Sequence, residues 1–187
     1  MINFDILDKK ILFSSNSDLE IINTIKKYEF NINEESDFGS WTILISACES
    51  GRKELVKFLL TYKDININHK NRYGDTALQV CWNKECLQEL LRHKNIDVRT
   101  QNKYNRTALF SSRTISHVES VIELLLDARI DPFICDNWNN TAQDIALYWG
   151  RYRSAKIIGN IQYTSLLRIP NGSLIYDIVR TIIREYL

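Results

Sequence analysis

A short pattern that contains threonine recurs four times along the chain at a nearly constant interval. It occurs as Trp41-Thr42-Ile43-Leu44, Asp75-Thr76-Ala77-Leu78, Arg106-Thr107-Ala108-Leu109 and Asn140-Thr141-Ala142-Gln143. Successive threonines, at positions 42, 76, 107 and 141, lie 34, 31 and 34 residues apart. Two stretches with apolar residues at helical spacing follow each pattern, and then a loop rich in Asp or Asn. Because self-similarity at such a period marks a repeat architecture, we predict a stack of similar helix pairs.

Each predicted helix pair carries an apolar stripe that it cannot bury alone. In the second unit, this stripe contains Leu44, Ala47, Leu55, Phe58 and Leu59 at helical spacing. Neighbouring pairs would bury their stripes against each other, so that stability comes from the interfaces between adjacent units. The threonine that opens each first helix is a candidate N-cap for free backbone N–H groups.

The second and fourth units carry a family resemblance. The second unit reads Asp37-Phe38-Gly39-Ser40-Trp41-Thr42-Ile43-Leu44-Ile45-Ser46-Ala47-Cys48-Glu49-Ser50-Gly51 and continues Arg52-Lys53-Glu54-Leu55-Val56-Lys57-Phe58-Leu59-Leu60. The fourth unit ends Leu124-Leu125-Leu126-Asp127-Ala128-Arg129-Ile130-Asp131-Pro132. These stretches resemble the ankyrin repeat, which has a period of about 33 residues and a first helix that opens Thr-Pro-Leu-His-X-Ala. The resemblance covers about residues 37–158.

The chain also departs from the family pattern. No unit keeps the proline or the histidine of the family's opening motif, and the third unit is about two or three residues short. Trp82 stands where the family prefers a small alanine. The first helix of the third unit is therefore expected to be trimmed and to pack differently from the others.

The resemblance implies a single all-α domain over residues 1–187. It is an ankyrin-repeat solenoid of about five helix-turn-helix units with short β-hairpin-like loops and a C-terminal capping helix. Residues 1–36 are interpreted as a degenerate N-terminal repeat, and residues 37–158 as four recognisable repeats. The second helix of the degenerate repeat would contain Leu19, Ile21, Ile22 and Ile25. The hairpin loops are expected near residues 37–41, 70–75, 101–106 and 136–140.

Residues 159–187 are interpreted as a C-terminal helical cap. A turn at Pro170-Asn171-Gly172 precedes Ser173, a candidate N-cap for a final helix. One face of that helix would be apolar, with Leu174, Ile175, Ile178, Val179, Ile182, Ile183 and Tyr186 at helical spacing. Such a helix would cover the apolar side of the last repeat.

Composition limits the classes of function. The formal net charge is +1, with 24 basic and 23 acidic residues, which is too balanced for a general nucleic-acid-binding surface. No apolar run approaches the roughly 18 residues of a membrane helix, and residues 1–5 lack the features of a signal peptide. We therefore expect a monomeric protein without nucleic-acid or membrane partners, located in the cytoplasm. The four cysteines, Cys48, Cys81, Cys86 and Cys135, are interpreted as mostly buried small apolar residues.

No pattern of catalytic or metal-ligating residues stands out. The chain has no Gly-rich phosphate loop, no Gly-X-Ser-X-Gly and no His-Glu-X-X-His motif. The histidines His69, His93 and His117 are evenly spaced, but the ankyrin registration assigns the first two to loops between repeats and His117 to the start of a second helix. We therefore predict no enzyme, no cofactor and no metal site.

Aromatic residues recur three positions before the later threonines, at Tyr73, Tyr104 and Trp138. In ankyrin repeats this position lies at the tip of a hairpin finger, and fingers and first helices line the concave face that usually binds partners. By that registration, the partner-binding residues are Phe38, Trp41, Arg72, Tyr73, Asp75, Lys103, Tyr104, Arg106, Trp138, Tyr148 and Trp149. Aromatic and Arg side chains are enriched at binding hot spots. The alternative is that these rings only stiffen the row of fingers, and that Trp149 belongs to the core.

The leading hypothesis is a protein-interaction module that presents this aromatic and basic face to a protein partner with some acidic character. The Asn-, Ile- and Lys-rich composition is typical of an AT-rich genome, such as that of a parasite, a large virus or an intracellular bacterium. Ankyrin proteins in such settings often act on host proteins. By that analogy a host protein is a candidate partner, and the host cytoplasm or nucleus is an alternative location. The second hypothesis is a substrate adaptor for a ubiquitin ligase, because residues 173–182 are similar to the elongin-binding start of a SOCS box. That stretch departs from the motif at Ile178, where the box has its key cysteine. An enzyme with an unrecognised site is the third.

Overall fold

The protein is a stack of short antiparallel helix pairs. The structure is a computed structural model, and it describes residues 17–28, 31–37, 39–166 and 181. The helices in these ranges are α1 (Asp18–Lys27), α2 (Ile43–Glu49), α3 (Lys53–Leu59), α4 (Ala77–Val80), α5 (Lys84–Arg92), α6 (Ser112–Ser116), α7 (Val118–Leu125), α8 (Ala142–Tyr148) and α9 (Tyr152–Leu166). A 3-10 turn at Ala108–Phe110 precedes α6. Within the described ranges, the chain forms no strand beyond an isolated bridge between Cys135 and Thr141.

The helices form two rows. The first row contains α2, α4, the 3-10 turn and α8, and each of these packs against the next. The second row contains α1, α3, α5, α7 and α9, which also pack in that order. Buried aliphatic side chains such as Leu55, Leu87 and Leu124, each 0% exposed, fill the space between the rows. The predicted all-α solenoid is therefore confirmed, and its core is continuous from one unit to the next.

Threonine caps form at two of the four predicted positions. The Thr42 hydroxyl accepts a hydrogen bond from the backbone N–H of Ile45 at 3.4 Å, and Thr141 forms a reciprocal capping box with Asp144. At Thr107 the predicted cap is absent. The element that follows is a 3-10 turn, in which the Phe110 N–H donates to the Thr107 carbonyl oxygen at 3.0 Å and is therefore not available to the side chain.

Asparagines join the loops between units. Asn33 donates from Nδ2 to the Asp64 carbonyl oxygen at 2.8 Å and accepts from the Asn66 N–H at 2.7 Å. Asn68 makes the equivalent pair of bonds one loop further along, at 2.7 and 2.9 Å. Each asparagine side chain pairs with one backbone donor and one backbone acceptor of the next loop. These bonds hold neighbouring units at a constant spacing.

The first helices of the third and fourth units are interrupted. In the third unit, α4 ends at Val80 after four residues, as the tryptophan at position 82 predicts. In the fourth unit, the 3-10 turn and α6 together replace a regular helix. Trp82 lies in the gap after α4, where its indole Nε1 donates to the Glu49 carbonyl oxygen at 2.7 Å. A single large side chain thus takes the place of a helical turn.

The described C-terminal part of the stack ends in one long helix. Helix α9 runs without a break from Tyr152 to Leu166 and so crosses residue 158, where the last repeat is predicted to end. The predicted cap helix over residues 173–187 lies outside the described residues except for Thr181. No helix in the described part of the chain is both long enough and apolar enough to cross a bilayer.

Three of the four cysteines are buried between the rows. Cys48, Cys81 and Cys86 are each 0% exposed, whereas Cys135 is partly exposed. Burial, followed by the neighbouring Cys48 thiol, raises the pKa of the Cys81 thiol well above its ordinary value. The predicted burial of Cys48 and Cys81 is confirmed.

This burial predicts two classes of thiol reactivity. In the native protein, one thiol should react rapidly with a disulfide reagent and three should react slowly, because only the exposed thiolate is an effective nucleophile. In denaturant all four should react at similar rates. Cys135→Ser is the control, and it should remove the fast phase alone. Fast labelling of Cys48 and Cys81 in native protein would contradict the packing.

Candidate functional site

A tight turn precedes each of the last three first-row elements, and we call these turns the fingers. The third, fourth and fifth fingers span residues 71–75, 102–106 and 136–140, as predicted. Each is closed by a backbone hydrogen bond of 2.9 to 3.0 Å from its first residue to the carbonyl oxygen of its last. The residue two positions before the threonine is left-handed in each: Gly74 (φ 81°), Asn105 (φ 59°) and Asn139 (φ 63°). Glycine and asparagine tolerate this conformation best.

The first residue of each finger holds the turn with its side chain. Oδ1 of Asn71 accepts hydrogen bonds from the N–H groups of Tyr73 and Asp75 at 2.8 and 3.0 Å. Asn102 and Asp136 make the same pair of bonds in their own fingers. Sequence reasoning missed these residues, although an Asn or Asp five positions before the threonine is a signal that could have found them.

Backbone hydrogen bonds connect each finger to the next. The N–H of Arg72 donates to the Gly39 carbonyl oxygen at 2.8 Å, and that of Lys103 donates to Tyr73 at 3.1 Å. The N–H of Asn137 then donates to the Tyr104 carbonyl oxygen at 3.1 Å. Because the same bond recurs from unit to unit, the finger tips form one row with fixed spacing.

The aromatic side chains of this row are exposed. Tyr73 is 51%, Tyr104 42% and Trp138 61% exposed. The rings of Tyr104 and Trp138 are stacked, with centroids 5.9 Å apart and an interplanar angle of 26°. The rings of Tyr104 and Trp138 are therefore accessible to a partner, and they also pack against each other. This geometry agrees both with a binding role and with a role in stiffening the row of fingers.

Arg106 lies near both stacked rings and forms an ion pair with Asp136. Nη2 of Arg106 lies 2.8 Å from Oδ2 of Asp136, whose side chain is fully buried. The Arg106 guanidinium also lies 5.5 Å from the Trp138 ring and 6.0 Å from the Tyr104 ring. Burial alone would raise the pKa of Asp136, but hydrogen bonds from Arg106 and from backbone N–H groups hold the pKa below its usual range.

Other predicted site residues occupy different surroundings. Arg72 and Lys103 are exposed on the fingers, and Asp75 accepts a 2.7 Å hydrogen bond from Asn102 Nδ2. Trp41 is partly buried against the core and does not join the exposed row, and Phe38 lies outside the described residues. The corresponding turn before α2 is one residue longer than the three fingers, since it closes with a hydrogen bond from Ser36 N–H to the Trp41 carbonyl oxygen.

Tyr148 and Trp149 end the first helix of the fifth unit. They are 81% and 59% exposed, and their rings meet edge to face at 5.4 Å. Trp149 is therefore not a core residue, which excludes the alternative considered for it. Both residues lie at the end of α8 that points away from the fingers.

A groove of about 360 Å³ runs between the fingers and the first-row helices. It brings together Asp75, Tyr104, Arg106 and Trp149 from the predicted set. Residues that the sequence did not suggest also line it, among them Glu49, Gln79, Phe110 and Arg113. The groove therefore joins residues of the third and fourth fingers to first-row residues of the second to fifth units.

Comparison with known families agrees with this geometry. A family model described as ankyrin repeats (3 copies) matches residues 11–102. The chain belongs to the ankyrin-repeat family. The match begins within the degenerate first unit, and the same two-row arrangement continues beyond residue 102 in the fourth and fifth units. Ankyrin repeats generally mediate protein–protein interaction, and the family is typically a non-enzymatic interaction module.

Three further predictions for this ankyrin-repeat protein concern the SOCS-box-like stretch, the histidines and metal binding. The stretch similar to a SOCS box, residues 173–182, lies outside the described residues except for Thr181. His93 ends α5 and His117 precedes α7, as the registration predicts. Among the described residues, no group of three or more His, Cys, Asp or Glu side chains is arranged to hold a metal ion.

Proposed function

We propose that this ankyrin-repeat protein binds an extended segment of a partner protein on its concave face. The cluster of Tyr104, Trp138 and Arg106 is the anchor of that interaction. The observation that carries the proposal is the stacked pair of exposed rings at 5.9 Å, supported by a guanidinium that is itself held by a buried carboxylate. Aromatic rings and arginine are the residue types most enriched at binding hot spots.

Rigidity favours this cluster as a binding site. The backbone bonds between fingers and the Arg106–Asp136 pair hold the rings in place before any partner arrives. A side chain that is already ordered loses little conformational entropy on binding, so more of the contact energy appears as affinity. The exposed Arg72 and Lys103 beside the rings favour a partner segment with acidic residues.

The test uses Tyr104→Ala and peptides selected from a random display library on the wild-type protein. Loss of the ring should weaken peptide binding by tenfold or more, because truncating a hot-spot ring typically costs about 2 kcal/mol. Folding stability should fall by only about 1 kcal/mol, the typical contribution of a stacked aromatic pair. Calorimetric titration and a melting curve on the same variant measure both effects.

The matched control is Tyr163→Ala, which removes an exposed tyrosine from α9, in the second row. This variant should keep full peptide affinity. If Tyr104→Ala is destabilised but binds the selected peptides as tightly as the wild type does, the rings have a structural role only and the proposal fails. When Tyr104→Ala loses peptide binding as expected, capture from lysates of candidate host cells, compared between the wild type and this variant, identifies the partner protein.

A further inference from the structure

A second cavity opens beside the concave groove, at the end of the first-row helices away from the fingers. It has a volume of about 540 Å³ and is lined by Trp82, Arg113, Ser116, His117, Trp149 and Arg151. Arg113 and Trp149 also line the groove next to the fingers. The two cavities are therefore neighbours along one surface, and a single extended chain segment can occupy both.

Part of the wall of this cavity forms at the gap after α4 in the third unit. The Trp82 indole donates to the Glu49 carbonyl oxygen at 2.7 Å, and the His117 ring packs against Trp82 at a tilt of 34°, with centroids 4.8 Å apart. His117 donates in turn from Nδ1 to the Arg113 carbonyl oxygen at 2.7 Å, since a carbonyl can only accept. The aromatic surface is thus fixed in the free protein, which lowers the entropic cost of binding.

The charges around the cavity do not balance. Among the described residues, its lining contains two arginines and no acidic residue. Arg113 lies 3.4 Å from a carboxylate oxygen of Glu49, whereas Arg151 is exposed and makes no ion pair with any described residue. Within the described ranges, the Arg151 charge therefore has no ion-pair partner, and it lies in the same cavity as the exposed indole ring of Trp149.

We propose that this cavity binds the carboxylate of an Asp or Glu side chain in the partner segment, with Arg151 as the cation that pairs with it. The inference rests on the proposed function, because it assigns the chemistry of a second position along the same segment. Trp149, which is 59% exposed, and Trp82 contact the apolar part of that side chain and its neighbours. Arg151 supplies hydrogen bonds to the charged group, which are stronger than neutral ones.

A single carboxylate fits the charge of the site better than a phosphate does. Glu49 already neutralises Arg113, so the cavity has about one uncompensated positive charge. A phosphate ester carries a charge of about −1.5 to −2 at neutral pH and would leave excess negative charge close to Glu49. The partner segment is therefore an acidic peptide rather than a phosphopeptide or a nucleic acid.

The experiment uses the full chain and peptides selected on it from a random display library. Each selected peptide is titrated against the wild type, Arg151→Gln and the control Arg153→Gln, which removes an exposed arginine that does not line this cavity. We expect a recurring Asp or Glu among the peptides. Affinity should fall roughly tenfold with Arg151→Gln and stay unchanged with Arg153→Gln. Melting curves should coincide for the three proteins.

A double-mutant cycle then assigns the contact. Replacing the recurring acidic residue of the peptide by its amide should weaken binding to the wild type roughly tenfold but have little effect on Arg151→Gln. Peptides that depend on Tyr104 but not on Arg151 overturn this inference and leave the proposed function standing. Peptides that depend on Arg151 but not on Tyr104 support the acidic pocket and overturn the finger anchor. A phosphoserine peptide that binds more tightly than its Asp or Glu counterpart overturns the carboxylate assignment, and a library without binders overturns both proposals.

Discussion

Trp82→Ala is expected to lower the free energy of unfolding by about 3 kcal/mol, near the lower end of the range for truncating large buried rings. Trp82 is partly buried, so the cavity term is smaller than at a fully buried site. The variant loses the indole hydrogen bond to Glu49 and the ring contact with His117. For a chain of this size, that loss corresponds to a fall in melting temperature of roughly 6–12 °C.

The position of Trp82 makes the effect larger than that of other aromatics. The side chain joins the second unit, through Glu49, to the fourth unit, through His117, across the short helix of the third. In a repeat protein, stability depends on interfaces between neighbours, and this ring contributes to two of them. Unfolding of Trp82→Ala should therefore also become less cooperative, so that the fluorescence and circular dichroism transitions separate.

Two further variants test this interpretation. Trp82→Phe keeps a ring but no N–H donor, and it should lose only about 1 kcal/mol. Tyr148→Ala removes an aromatic that is 81% exposed, and its effect should stay within about 0.5 kcal/mol. Equal melting temperatures for Trp82→Ala and Tyr148→Ala would show that the ring does not connect the units.

Gly74→Ala is expected to destabilise the protein by about 2 kcal/mol. Gly74 has φ 81°, and a left-handed conformation costs a residue with a Cβ about 1–2 kcal/mol. A Cβ at this position would also lie 3.0 Å from the Lys103 backbone nitrogen and 3.2 Å from the Asn102 Cα. Since the Lys103 N–H bonds to the Tyr73 carbonyl oxygen, the third and fourth fingers must separate to make room.

The matched control is Gly150→Ala. Gly150 is also in the left-handed conformation, but no neighbouring atom would crowd a Cβ there. Gly150 has φ 67°, and a Cβ there would meet no atom within 4 Å. Its cost should be about 1 kcal/mol, from the backbone conformation alone. The amide of Lys103 should exchange with solvent faster in Gly74→Ala but not in Gly150→Ala. Equal stabilities and equal exchange rates in the two variants would contradict the close approach of neighbouring fingers.

Much of the fold could be predicted from local patterns. The threonine spacing located the units, and helical periodicity located the helices of the second row. The finger turns followed from the ankyrin registration, and Gly74, Asn105 and Asn139 adopt in them the left-handed conformation that these residue types tolerate best. The exposure of Tyr73 and Trp138 followed from their register within the unit.

Other features of the candidate site could not be predicted, because they join residues that are distant along the chain. Arg113 reaches Glu49 across 64 residues, and Arg106 pairs with Asp136 across 30. Register places each residue within its unit, but it does not say which rotamer a long side chain adopts or which neighbour it contacts. The contact between Tyr104 and Trp138 could not be predicted for the same reason, and the structure shows that their rings are both exposed and stacked.

The sequence by itself determined the number of residues in each unit, the two helical rows and the positions of the third to fifth fingers. Each of these follows from interactions within about one repeat, which recur and reinforce the same pattern. Only the tertiary structure decided how the missing turn after Val80 is compensated. Trp82 fills the gap, the His117 ring of the next unit packs against it, and both residues line a cavity together with Arg113 and Trp149. That outcome depends on how three successive units stack, because the space left by a shortened helix is defined by its neighbours and not by its own residues.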